Sequence, residues 1–285
     1  MSKNAFSLRA RALAACLVLL FLAPAARAVT LSGYREGAGN TPQECYQYVT
    51  FGRYPYERDG SQAPVLWRVL GPGTPEKADV IDAVNEPPRS WKKTGNGDDL
   101  SGDNADLVCL MTEYIVDALL YNGEKDTADG TPLDYENTAV YRTLNTQVLA
   151  TLFTSEEKAV LCEMPDRGLL ALPTRRGELF RTDYGFPPED FTESRTRRAT
   201  GTPWAFAGGL KRINGPYSWY FTADWRRPGF RWIVGDNGHI SVSGADRVGG
   251  IRFVCYVHAA LLKSEGGTGT FEDPIRLSPL SAAGE

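Results

Sequence analysis

Tyr217–His258, YSWYFTADWRRPGFRWIVGDNGHISVSGADRVGGIRFVCYVH, gathers Trp219, Trp225 and Trp232 into one segment, with Tyr217, Tyr220, Phe221 and Phe230 between them. Four β-like runs lie in it: Ser218–Thr222, Arg231–Val234, His239–Ser243 and Ile251–His258. Asp236-Asn237-Gly238 between two of these runs is a hairpin turn signal. Trp219 and Phe221 alternate with Tyr220, so they share one face, and that face is expected inward. Trp225, Arg226, Arg227 and Arg231 fall around the Arg227-Pro228-Gly229 turn and are expected at the surface. Exposed indole rings stack on sugars or anchor protein partners, and arginine adds bidentate hydrogen bonds to anions. These four residues are therefore the candidate ligand-binding set. The competing use for the rings is core filling, which a loop-rich domain needs.

Upstream, Val49–Phe51 and Val65–Leu70 read as strands around the turn-like Arg58-Asp59-Gly60-Ser61, a hairpin. Residues 71–106, rich in Pro, Gly, Asp and Lys, read as a surface insertion, and Leu107–Leu110 returns to strand composition. Thr138–Val148 suits a short helix. Phe153–Leu161 suits another, with Thr154 as N-cap and Glu157 three residues later completing a capping box. Arg181–Thr202 is a charged excursion without periodicity.

The first residues address the chain for export. Lys3, Arg9 and Arg11 precede an apolar run, and Ala26-Arg27-Ala28 is a small-x-small cleavage site, so residues 1–28 read as a signal peptide. The apolar run is shorter than the roughly 20 residues of a membrane span, and no later stretch approaches that length. The expected address is periplasmic or extracellular. The mature part carries 27 basic against 35 acidic side chains and four cysteines: Cys45, Cys109, Cys162 and Cys255. An even number in an exported chain predicts two disulfides, with three connectivities open. Cys109 and Cys255 both lie in strand-like runs, and pairing them, leaving Cys45 with Cys162, is the arrangement taken for test.

Charge is polarised along the chain. Residues 29–166 hold 11 Lys/Arg against 23 Asp/Glu, and residues 167–252 hold 14 against 8, nearly all of the basic ones Arg. A nucleic-acid role does not suit an exported, net-acidic chain. An acidic glycan or an envelope protein fits the Arg-rich half better, the plain alternative being ion pairs between the two halves.

Several motifs carry a resemblance. Phe51-Gly52-Arg53-Tyr54-Pro55, Trp67-Arg68-Val69-Leu70, Tyr135-Glu136-Asn137-Thr138 with Leu144-Asn145, and Phe153-Thr154-Ser155-Glu156-Glu157 follow in order, and Gly250-Ile251-Arg252 comes last. This series resembles a widespread uncharacterised bacterial domain with FGxYP, WRVL, W-x-N-S, LN and GVR motifs. Tyr135 stands where that family has Trp, and Phe253 where it has Pro. More distantly, Leu172-Pro173-Thr174-Arg175-Arg176-Gly177-Glu178 is similar to the LPT-x-x-x-E motif of sulfatase-modifying-factor-like domains. That resemblance implies an α+β, C-type-lectin-like fold: two helices, a small twisted antiparallel sheet and long loops. Residues 29–262 would form the single lectin-like domain, and 263–285 a C-terminal arm or edge strand.

Candidates for chemistry are few. His239 and His258 are the only histidines, and no nucleophile signature accompanies them. Cys255 lacks the neighbouring cysteine that the copper-using oxidases of the sulfatase-modifying group need. Asp98, Asp99, Asp103, Asn104 and Asp106 gather oxygen ligands without the EF-hand spacing, so a solvated acidic loop is expected rather than a calcium site. No catalytic residue, metal or cofactor is assigned. The expected function is a non-catalytic, exported binding or structural module of the bacterial envelope. The alternative is an enzyme of the sulfatase-modifying class or another hydrolase.

Overall fold

The computed structural model describes residues 28–33, 41–72, 107–122, 133–164, 166–175, 178–179, 195–213 and 215–280. Residues 1–27 of the expected signal peptide and 73–106 of the expected insertion, with its acidic loop, lie outside the described residues. So does most of the excursion at 181–202.

A short helix α1 (Pro42–Cys45) leads into β1 (Tyr48–Pro55), which turns back as β2 (Gln62–Pro72). The turn forms because Asp59 accepts the Ser61 backbone N–H, and Gly60 takes φ +82°. Then come β3 (Leu107–Thr112) and β4 (Asp117–Leu120). Ala139–Thr143, a π turn Leu144–Val148 and Leu149–Leu152 run on as one helix, α2. Helix α3 (Ser155–Lys158) starts at the expected box: Thr154 accepts the Glu157 N–H, and Glu157 accepts that of Thr154. The two-residue strands β5 (Leu161–Cys162), β6 (Ala199–Thr200) and β7 (Tyr217–Ser218) and helix α4 (Pro203–Ala207) follow. The last strands are β8 (Tyr220–Arg227), β9 (Phe230–Val234), β10 (Ile240–Gly244), β11 (Val248–Ile251), β12 (Val254–His258), β13 (Leu262–Ser264) and β14 (Ile275–Pro279).

These strands build a seven-stranded sheet in the order β13-β14-β1-β2-β3-β12-β5 and a five-stranded sheet in the order β10-β9-β8-β11-β4. With 42% strand and 20% helix, this corrects the expected lectin-like α+β arrangement of two helices on a small sheet. The local hairpins are as read, but each is recruited into a larger sheet by distant strands. β3 pairs with both β2 and β12, and β11 lies parallel to β8. The tail supplies two strands of this sheet, β13 at its edge and β14 between β13 and β1.

Both faces of the large sheet are covered. Val49 opposes Trp67, Val69 opposes Leu110, and Leu110 opposes Cys255. That row faces the main core, where α2 contributes Leu144, Val148, Leu149 and Leu152. Trp67 donates its indole N–H to the Phe51 carbonyl at 2.7 Å and stacks on Phe153. Gly52 has φ +68° and lies so close to the Leu152 carbonyl and the Phe153 ring that any Cβ would collide, so only glycine lets α2 approach β1. On the opposite face Tyr48 opposes Arg68, Arg68 opposes Met111, and Met111 opposes Val254, over a second buried cluster. The Leu172–Thr174 segment links the two sheets. Ala171 bridges Val254 of β12, and the Pro173 carbonyl accepts the Ala223 N–H of β8.

Candidate functional site

The β8–β9 hairpin carries all four sequence-predicted residues and projects three of them, Trp225, Arg226 and Arg227. Its strands continue to Arg227 and restart at Phe230, so only Pro228 and Gly229 form the turn, and register shifts near Trp225 distort the ladder. Trp225 is 52% exposed, and Arg226 and Arg227 are exposed as expected. Arg226 lies over the Trp232 ring at 5.2 Å and Arg227 over the Phe230 ring at 4.3 Å. Among the described residues neither guanidinium has a carboxylate within ion-pair distance.

A residue from the Leu172–Thr174 side completes this surface. Arg175 lies over the same Trp232 ring at 4.0 Å, so two guanidiniums meet on one half-buried indole. The Arg175 backbone N–H donates to Asp224 Oδ2 at 2.7 Å. Burial raises the Asp224 carboxyl above the usual range, and the amide and charge of Arg175 offset part of that. Each exposed guanidinium–ring contact contributes about 0.5–1 kcal/mol, enough to orient the Arg226 and Arg227 side chains at the surface, where an anion can reach them. Arg175 was missed as a site residue because it is 57 positions before Trp232, and nothing local marks it.

Arg231 does not belong to the exposed set. It is 1% exposed, lies over Tyr121 at 5.0 Å and donates Nη2–H to the Leu133 carbonyl at 3.2 Å. The reason is its face. Ile233 and Phe221, paired across β8 and β9, point into the main core, and Arg231 shares that side beneath Tyr121.

Other charged groups in the interior are structural. Glu178 accepts from Arg167 at 2.8 Å, Tyr256 Oη at 3.0 Å and the Thr174 N–H at 2.8 Å. Arg68 pairs with Glu113 at 2.7 Å, and Arg252, 0% exposed, donates to the Thr112 carbonyl and the Tyr220 hydroxyl. Asn145 accepts the N–H groups of Leu169 and Leu170 and donates to the Leu170 carbonyl, tying α2 to that loop. The residues that carry the motif series thus hold the scaffold together.

On the other side of the small sheet an open cleft of about 460 Å³ runs along β10. Trp219, Ile213, Ser241, Ser243 and His239 line it. Trp219 packs edge-on against Phe221 at 5.1 Å, so the two share a face as expected, but Trp219 is only half-buried at the cleft while Tyr220 is fully buried. The indole closes over Gly249, where any Cβ would strike it. His258 ends β12. Among the described residues no group of three potential metal ligands converges, and no helix is long and apolar enough to cross a membrane.

The four cysteines are thiols in this structure. Cys109 opposes Tyr256 and Cys255 opposes Leu110, so the two sulfurs sit on opposite faces of adjacent strands. Side chains that point apart cannot be bridged without moving backbone, which corrects the expected Cys109–Cys255 pairing. Cys45, at the end of α1, belongs to the buried cluster against which Cys162 of β5 packs, and the two are not bridged. Alkylation of the folded protein is expected to modify half-exposed Cys162 first, and the buried Cys45, Cys109 and Cys255 only on unfolding. A peptide map made without reductant should lack a Cys109–Cys255 cross-link.

No family model matches the chain, and neither does any curated protein or solved structure.

Proposed function

We propose that the protein is an exported, non-catalytic binding module of the bacterial envelope, and that the Arg175–Trp232–Arg226 surface takes an acidic glycan. One observation carries this reading: two guanidiniums lie on a single indole, and the exposed one has no carboxylate partner among the described residues. An indole face stacks on a sugar ring, and a guanidinium grips a carboxylate through paired N–H groups. Trp225 and Arg227 extend the same chemistry around the hairpin tip. Because the mature chain is net acidic, attraction of an anion is local and should weaken as salt screens it.

Titration calorimetry with polygalacturonate, and with neutral dextran as control, tests this. The uronate polymer should bind and dextran should not, with affinity falling at high salt. Arg226→Ala and Trp225→Ala should each weaken binding by about 1–2 kcal/mol without changing the melting temperature. Arg231→Ala should instead lower the melting temperature, as its burial requires. Uronate binding unaffected by both hairpin variants would overturn the site. Absence of uronate binding, with Arg226-dependent capture of an acidic envelope protein, would move the ligand from glycan to protein.

A further inference from the structure

We propose that two copies of the chain join edge to edge through β10, antiparallel about a two-fold axis at Val242. Among the described residues β10 has β9 as its only neighbour in the sheet, and it pairs with β9 without a register shift. Its sequence, Ile240-Ser241-Val242-Ser243-Gly244, contains none of the Pro, Lys or bulge devices that protect exposed edges. Val242, at its centre, is 41% exposed.

The hydrogen-bond phase defines what this edge offers. Gly235 N–H donates to the His239 carbonyl at 2.7 Å, and Ala245 N–H donates to the Gly229 carbonyl at 3.0 Å. These bonded pairs flank β10 in one register, so antiparallel alternation turns Ser241 and Ser243 toward β9. Ile240, Val242 and Gly244 then direct their N–H and C=O groups outward. Placing Val242 against its own copy sets Ile240 against Gly244 of the partner subunit. Every pair in that register exchanges both backbone hydrogen bonds.

Charge selects a second copy over an arbitrary peptide. Asp236 lies before β10 and exposed Arg247 after it, and neither has an ion-pair partner among the described residues. The antiparallel register brings Asp236 to the end of the interface where Arg247 of the partner subunit stands, and the reverse at the other end. The cleft beside Ser241 and Ser243 leaves room for side chains of the added strand. Val242 opposes Trp232 on the same face, so joining the edges sets two Trp232 rings roughly 14 Å apart across the axis. A polymeric ligand could then engage both. The dimer itself does not depend on the ligand reading.

Sedimentation equilibrium of the full mature chain tests this, with thermal melts on each variant. The wild type should show dimer mass in the micromolar range. Val242→Pro should be monomeric with an unchanged melting temperature, because the Val242 N–H serves no bond to β9. Ser243→Pro, which removes a β9 bond, should lower the melting temperature and serves as the contrast. Val242→Lys should also be monomeric and covers the case in which the proline variant fails to fold. Arg247→Asp should weaken association at least about tenfold, and Asp236→Arg combined with it should restore association. A wild type monomeric at all concentrations, or a Val242→Lys variant that stays dimeric, would overturn the proposal.

Discussion

Alanine at Glu178 is expected to destabilise the protein by about 3–5 kcal/mol, the range for removing one partner of a buried ion pair. Arg167 would keep its charge in the interior without its counter-ion, and the Tyr256 hydroxyl and Thr174 N–H would each lose an acceptor. Burial alone would raise the Glu178 pKa. The Arg167 guanidinium, with the hydrogen bonds it and Thr174 donate, overrides that and lowers it from the ordinary 4.5 to about 2. A carboxyl depressed on folding stabilises the native state above its unfolded pKa, and that stability is lost as pH falls toward the folded value. The wild type should therefore lose about 3 kcal/mol between pH near 4.5 and pH near 2 from this group. Glu178→Gln, already destabilised at neutral pH, should lack that slope. Urea titrations at several pH values measure both. A wild-type profile as flat as that of Glu178→Gln would show that the pair contributes nothing to stability.

Trp67→Ala should cost a similar amount, about 3–5 kcal/mol, through a different mechanism. The indole is fully buried, stacked on Phe153, and bonded to the Phe51 carbonyl. Truncation opens a cavity where β2 meets α2 and leaves that carbonyl without its donor. Trp67→Phe keeps most of the packing and loses the hydrogen bond, so about 1–2 kcal/mol is expected. Equal losses for the two variants would show that the hydrogen bond, and not the ring volume, dominates.

The parts of the molecule written in short-range chemistry were legible in the sequence. The β1–β2 hairpin, the Thr154–Glu157 box, the Asp236-Asn237-Gly238 turn and the shared face of Trp219 and Phe221 each follow from residues a few positions apart. Trp225, Arg226 and Arg227 were placed at the surface by the adjacent Pro-Gly turn. What failed depends on pairing over long distances. The size of each sheet is decided by strands more than a hundred residues apart, which alternation along one strand cannot register. Arg231 was misjudged because Tyr121, which covers it, is supplied by chain 110 positions earlier. Arg175 escaped for the same reason, its contact with Trp232 being tertiary.

The parallel pairing of β14 with β1, Val49 opposite Ile275, has a consequence for when the molecule can fold. The first long strand of the large sheet has its outer side paired only by residues more than 220 positions further along the chain. Closing so long a loop is entropically slow, and topologies dominated by distant contacts fold in milliseconds to seconds rather than microseconds. A chain emerging N-terminus first therefore leaves the outer edge of β1 unpaired until Ile275 is available, although β2 can already pair with β3. That delay leaves the edge available for pairing with other chains while the rest of the sheet forms. It also makes the stretch after Ser264 a timing element, because a chain cut before Ile275 leaves the β1 edge open to self-association.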